Sequence, residues 1–365
     1  MRRFLRLLLP GLVLLALHQA AGGWAHRLYE GTASPPLADA VADWALTDGP
    51  GSVGSPGGAL FDGEWAFGAC VMAVAGLGQV ALEHPELRER YLPAMDRCVA
   101  WLTTPEARAF GTRSWGYDGL EEGGLARGEH AYLGYLGAAL GVHRLVQPDS
   151  PWAALHDRLA ADARAGLAHG VAAFQTYPGE TYPPDLATLA ATVALHDRAT
   201  GQRVDADLAR WLATYRLEAV DPATRMLIQR LSPESGRPAD RPRGSGTAFA
   251  AYFLVYADPG LSAALYASLP VRHALGFGAV REYPGGEAGL GDIDSGPVLA
   301  GLGVSATGFA LAGARAHGDE ATFRRILRTA CLFGVPVPHR DGRWFLTGGG
   351  LGNAILLAML TAPRR

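Results

Sequence analysis

Glu64 to Glu83 reads EWAFGACVMAVAGLGQVALE, and beyond His84-Pro85 the chain runs from Glu86 to Leu102 as ELRERYLPAMDRCVAWL. Both stretches have the length and residue types of helices, but they differ in kind. The first is small and apolar on every side, which means burial on every side. The second carries Glu86, Arg88, Glu89, Arg90, Asp96 and Arg97 among its apolar positions and must keep one face in water. A buried helix, a three-residue turn and a half-exposed helix make one unit of an inner and an outer layer.

The same contrast recurs along the chain. Helical periodicity predicts helices over 37–46, 64–83, 86–102, 129–146, 151–169, 185–200, 205–216, 245–257, 260–268, 297–317, 320–332 and 351–361. Of these, 64–83, 129–146, 185–195, 245–257, 297–314 and 351–360 are nearly all small and apolar. Gly134, Gly137, Gly141, Gly301, Gly303 and Gly308 would let such helices approach closely. Pro151 after Ser150 and the acid-first start Asp319-Glu320 suit helix N-termini. Gly170, Gly201 and Gly318 stand where left-handed caps are needed. Short turns join each buried helix to the next half-exposed one. Long loops (47–63, 103–128, 170–184, 217–244, 269–296 and 333–350) lead back to the buried ones. The pattern predicts an all-α fold, an (α/α)6 toroid with its long loops on one rim and helix content far above the ~30–35% of ordinary domains. A small hairpin between Gly334 and Phe345 is the one strand signal.

The N-terminus bears on the compartment. Arg2, Arg3 and Arg6 precede an unbroken apolar run from Leu7 to Leu17, and the small residues Gly22-Gly23-Trp24-Ala25 follow, in the order of a secretory signal. The run falls short of the ~20 residues of a spanning helix. Residues 1–25 are therefore expected to be removed, leaving a mature chain from near His26 through 365 as a single exported domain; an uncleaved anchor is the alternative. The 365 residues are 49% hydrophobic and 18% charged, with a formal net charge of −3, which gives no electrostatic footprint for nucleic acid. Cys70, Cys98 and Cys331 fit no zinc or redox spacing; Cys70 and Cys98 lie in consecutive helices and either pair after export or remain buried thiols.

The long loops hold the unusual residues. Loop 103–128 carries Trp115, Tyr117 and Asp118 just ahead of Glu129-His130. Loop 170–184 carries Tyr177, Glu180 and Tyr182, followed by Asp185. Loop 269–296 carries Tyr283 and then Gly291-Asp292-Ile293-Asp294-Ser295-Gly296. Asp292 and Asp294 form a Gly-flanked carboxylate pair whose proximity could split their pKa values into an acid and a base. Helix capping by Asp294 or Ser295 explains one of the two, not both. Asp185 and His130 are candidates for the same pocket, against the plainer readings of N-cap and core histidine, and Glu64-Trp65 repeats the pattern at another buried helix. No metal is expected, because no His-x-x-x-His pair or carboxylate cage occurs. No cofactor is expected either: Gly348-Gly349-Gly350 has no strand and no Lys-Ser/Thr beside it.

Three stretches resemble the linalool dehydratase-isomerase family. They are Gly76 to Leu82 with His84-Pro85-Glu86-Leu87-Arg88, Arg127 to Gly134, and Asp292 to Gly296 with Gly318-Asp319 closing the helix that follows. Their order covers most of the chain after the signal, and the resemblance implies an (α/α)6 barrel. His130 matches the family's catalytic histidine. The family's two active-site cysteines fall at or near Thr176 and Asp185, so its thiol chemistry does not carry over.

Three functions follow as expectations. The first is an exported acid–base enzyme acting on a glycoside or oligosaccharide. There Asp294 or Asp292 is the acid, Asp185 the base or nucleophile and His130 a positioning or proton-relay group, with Trp115, Tyr117, Asp118, Tyr177, Tyr182, Tyr283 and Glu64 as substrate contacts. The second is a hydro-lyase or isomerase of a small alcohol, and the third a non-catalytic envelope binding protein. A hydrolase requires two carboxylates across the pocket about 5–9.5 Å apart; a hydro-lyase of an apolar alcohol requires a closed, largely apolar pocket around His130; a binding protein would have its carboxylates paired with Arg281 or capping helices, with none free. Membrane contact is expected only if the N-terminal segment is retained, and a homo-oligomer stays open.

Overall fold

The computed structural model describes residues 2–29, 36–54, 63–203, 206–286, 289–292, 295–340 and 342–365. Asp294, half of the expected carboxylate pair, lies outside them. The protein is 63% helix and 9% strand, which makes it mostly helical as the periodicity requires.

Six helices are apolar and buried nearly all round: α3 (Glu64–Glu83), α6 (Leu133–Val146), α8 (Pro183–Thr200), α10 (Gly244–Ala257), α12 (Val304–Ala316) and α14 (Gly349–Leu360). Each packs on two others of the set, in the order α3, α6, α8, α10, α12, α14 and back to α3. Glycines allow this closeness. In α6, Gly134, Gly137 and Gly141 face α8, where an added Cβ would come within 2.4 Å of Thr188, 2.4 Å of Thr192 and 2.6 Å of Leu195. Thr192 seals the contact by donating to the Gly134 carbonyl at 2.9 Å.

Half-exposed helices pack outside these: α2 (Pro36–Thr47), α4 (Arg88–Leu102), α7 (Ala153–Leu167), α9 (Ala206–Ala219), α11 (Pro259–Ser268) and α13 (Glu320–Gly334). Asp319 caps α13 by accepting from the Thr322 N–H at 3.0 Å, and Asp258 caps α11 with Pro259 in the first turn. Gly170, Gly201 and Gly318 all take positive φ. The connections from a half-exposed helix to the next apolar one are the long ones; one contains the short α5 (Ala109–Trp115). The remaining helix, α1 (Arg2–Tyr29), packs on α13.

The expected hairpin is present as β5 (Pro336–His339) and β6 (Gly342–Phe345). Three expectations are corrected. The helix expected over 297–317 starts only at Val304, because Val298–Leu299 (β3) and Leu302–Gly303 (β4) pair with the hairpin β1 (Val271–Ala274) and β2 (Phe277–Arg281). This sheet was not expected; Leu275 and Gly276, both at positive φ, form its two-residue turn. The helix expected from Glu129 starts at Leu133, so His130 stands in the turn before it. Asp292 therefore precedes a strand rather than a helix.

Between two of the apolar helices, Gln79 of α3 donates to the Tyr252 and Tyr256 hydroxyls of α10, each at 2.7 Å, and accepts from Thr361 at 2.8 Å. The three cysteines are free and buried; burial, with the Cys98 thiol bonded beside it, pushes the Cys70 thiol well up.

Candidate active site

His130 takes a left-handed backbone (φ 53), which a histidine tolerates only when its surroundings hold it there. Here Ala131 donates to the Gln175 carbonyl and Gln175 to the Gly128 carbonyl, tying loop 103–128 to loop 170–184. The imidazole is fully buried. It stacks on Trp115 (ring centroids 5.0 Å apart) and meets the Tyr117 ring edge-on at 4.6 Å. Gly119 and Gly124 make room for it: a Cβ on either would lie 2.4 or 2.6 Å from the ring. Nδ1 lies 3.3 Å from the Tyr132 hydroxyl, and Nε2 has no hydrogen-bond partner.

Trp115 carries the connection onward, its indole N–H donating to the Thr176 carbonyl at 3.0 Å. The Thr176 hydroxyl donates to Asp185 Oδ2 at 2.7 Å, and the Tyr135 hydroxyl to Asp185 Oδ1 at 2.6 Å. His130 and Asp185, 55 positions apart, thus belong to one chain of contacts. Burial raises the Asp185 carboxyl above its ordinary range, and the two donated hydrogen bonds only partly oppose this. Asp185 sits in the first turn of α8 behind Pro183-Pro184, half-buried, with no cation paired to it among the described residues. Tyr135 continues into an aromatic group, Phe249 at 5.7 Å and Phe253 at 5.8 Å, with Phe309 at 4.9 Å from Phe249. Tyr135, Phe249 and Phe309 are each only partly buried, within helices otherwise almost wholly covered.

The other expected site residues are engaged elsewhere. Asp118 forms a two-pronged ion pair with the fully buried Arg108 (3.0 and 2.6 Å); burial works against its charge, but Arg108 outweighs it and the carboxyl stays low. Tyr117 donates to Glu129, and Arg127 covers its ring. Tyr182 donates to Glu180 at 3.0 Å, which is in turn paired with Arg230. Tyr177 is buried. Tyr283 is no open stacking wall: Arg241 lies 3.8 Å from its ring centroid and the ring is 4% exposed. Glu64 opens α3, half-buried. Asp292 accepts from Arg243 and from the Ser295 N–H. Burial raises its carboxyl, but these donors hold it below the ordinary range, so it is an ion-pair partner rather than a proton donor.

Four participants had not been read as site residues: Arg108, Tyr132, Tyr135 and Glu282. Glu282, just after β2, is fully buried against the start of α10, held by the Ser245 hydroxyl at 2.6 Å and raised chiefly by burial. An arginine between Ala107 and Ala109 and a tyrosine inside an apolar helix give no sign of their partners in the sequence. Two depressions lie away from the Asp185 and His130 side chains. One, of about 230 Å³, is lined by Trp44, Asp48, Ser52, His339, Trp344 and Gly350; the other, of about 180 Å³, by Asp39, Ala42, Asp43, Leu46, Arg90 and Arg340.

Burial also depresses His130, His143, His156 and His317, His130 to about 4 and His156 to about 3, the latter helped by the neighbouring His196 and Arg144. The unfolded chain takes up these protons near pH 6.5, whereas the folded chain resists until its own lower values. Stability is thus complete above about 6.5 and falls as the pH drops toward 4, by about 3 kcal/mol for His130 alone. Urea midpoints at pH 7.5 and 4.5 should show the fall, and His130→Gln should flatten it; equal slopes in parent and variant would refute the assignment.

No protein-family model matches the chain, and no curated protein matches it. The resemblance to linalool dehydratase-isomerases rests on the quoted stretches alone.

Proposed function

We propose that the protein is an exported (α/α)6 toroid that catalyses acid–base elimination or isomerisation of a small, partly apolar alcohol at Asp185. The cyclic packing order of the six apolar helices and the run of long connections into them support the toroid. The observation that carries the chemistry is the state of Asp185. Among the described residues, five other carboxylates of the long connections are matched to a cation or tied down: Asp118 by Arg108, Glu129 by Arg127, Glu180 by Arg230, Asp292 by Arg243 and Glu282 by Ser245. Asp185 is instead held by two neutral hydroxyls beside partly open aromatic rings. A carboxyl raised by burial holds its proton to higher pH than an exposed one, which suits a general acid.

In a dehydration, protonated Asp185 gives its proton to the substrate hydroxyl, the C–O bond breaks and water leaves. The carboxylate then takes a proton from the adjacent carbon as the C=C bond forms, and the acid is restored. Tyr135 and Thr176 orient the carboxyl; His130, walled off behind Trp115, positions that indole. Glycoside hydrolysis lacks a second free carboxylate facing Asp185 among the described residues. A binding protein would have no use for a carboxyl left without a cation. It is also notable that Thr176 and Asp185, the positions matched to the family's cysteines, hydrogen-bond each other.

The test is incubation of the purified chain in D2O with small tertiary and allylic alcohols, and in parallel with p-nitrophenyl glycosides. Alkene formation, with deuterium entering recovered alcohol, is expected. Release of p-nitrophenol with no alcohol turned over would overturn the reading in favour of hydrolysis.

A further inference from the structure

The N-terminal helix has two halves with opposite surroundings. Residues 8–17 are exposed on all sides although Leu8, Leu9, Leu12, Val13, Leu14, Leu15 and Leu17 are apolar, each at least 42% exposed. From His18 the same unbroken helix becomes part of the body. Ala21 and Ala25 are 3% and 4% exposed and join the main core, with Trp24 packed against it. His18 sits 5.4 Å from the Phe277 ring, over Gly276, where a Cβ would come within 2.3 Å of it. A Cβ on Gly22 would lie 3.7 Å from Arg328 on α13, and Arg343 of β6 lies 4.3 Å from the Trp24 ring centroid.

Such an arrangement does not suit a segment that is removed. The stretch expected to be cut, Gly22 to Ala25, lies inside the helix, with Ala25 buried in the core and Trp24 packed against it. Removal would strip Ala21 from the core and uncover the α13 surface it fills. An apolar arm exposed all round, rather than along one stripe, also fits no protein groove; it fits a medium that is apolar in every direction.

We infer that α1 is retained and anchors the protein in a bilayer, its residues 8–17 among the acyl chains and its residues 18–27 docked on α13 as part of the body. The apolar residues 8–17 run about 15 Å and Arg2 to Leu17 about 24 Å, both short of the ~30 Å hydrocarbon thickness, so the bilayer must thin locally around the anchor. Arg2, Arg3 and Arg6, with no acidic residue before Glu30, place the N-terminus on the cytoplasmic side and the body outside. Leu275, 75% exposed at the β1–β2 turn beside His18, then lies at the lipid boundary.

The inference is independent of the chemistry at Asp185 and is tested on the full chain expressed with its own N-terminus. Intact mass of the protein should equal that of the whole chain, and it should stay with membranes through alkaline carbonate and be released by detergent. Purified, it should float with vesicles of phosphatidylethanolamine and phosphatidylglycerol, and Leu12→Arg/Leu15→Arg should abolish flotation. A protein beginning near His26, or an intact one recovered without membranes, overturns the anchor. Ala21→Arg reads the docking separately: the melting temperature should fall by several degrees while membrane association persists. An unchanged melting temperature overturns the docked half.

Discussion

Asp185→Asn should lower turnover of an alcohol substrate by about 10² or more, the usual contribution of a positioned acid or base. The substitution is nearly isosteric. One oxygen can still accept from Tyr135 or Thr176, and the new amide faces the other hydroxyl, whose rotor can turn to accept. Stability should therefore change little, and a variant that melts with its parent but has lost activity isolates the ionisable group. Two companions sharpen the reading. Tyr135→Phe and Thr176→Val each remove one donor that favours the charged carboxylate. Either should raise the Asp185 pKa further, moving the corresponding limb of the pH–rate profile upward by about one unit per lost bond. An Asp185→Asn protein as active as its parent, or a profile unmoved by both companions, would remove Asp185 from the chemistry. Flotation and intact mass would be unaffected, which keeps the anchor and the active site separately testable.

The largest effect on stability is expected at Arg108. Its guanidinium is wholly buried, bonded twice to Asp118 and once to the Thr104 carbonyl at 3.0 Å. Arg108→Met removes the cation and leaves Asp118 with only the Leu120 N–H among those partners. Breaking a buried pair from one side costs about 3–5 kcal/mol. For a chain of this size that corresponds to a fall in melting temperature of about 4–7 °C. Adding Asp118→Leu should restore part of the loss, since two matched apolar residues leave no stranded charge. Loop 103–128 also forms the walls around His130, so the single variant should weaken the acid-dependent fall in stability as well. A calorimetric scan in which Arg108→Met melts within a degree of the parent would show that the pair contributes nothing net.

The amino-acid sequence by itself determined the all-α class and the division into buried and half-exposed helices. These depend on local composition and on the 3.6-residue period, which each segment carries alone: α3 could be read from Glu64 to Glu83 because every face of it is apolar. Caps were legible for the same reason, as at Asp319 and Gly201. What only the tertiary structure decided depends on partners distant in the chain. Val298 to Gly303 are small and apolar enough for a helix, yet β2 offers them backbone partners, and pairing overrides propensity there. His130 leaves the helical path because Gln175, 45 positions on, holds the backbone of its turn. The candidate carboxylates looked alike in sequence. Arg243, Arg108 and Arg230 neutralise Asp292, Asp118 and Glu180, whereas among the described residues the Asp185 carboxyl is held by two hydroxyls. A carboxyl's charge state follows from what lies within a few ångströms of it, and that neighbourhood exists only once the helices have packed.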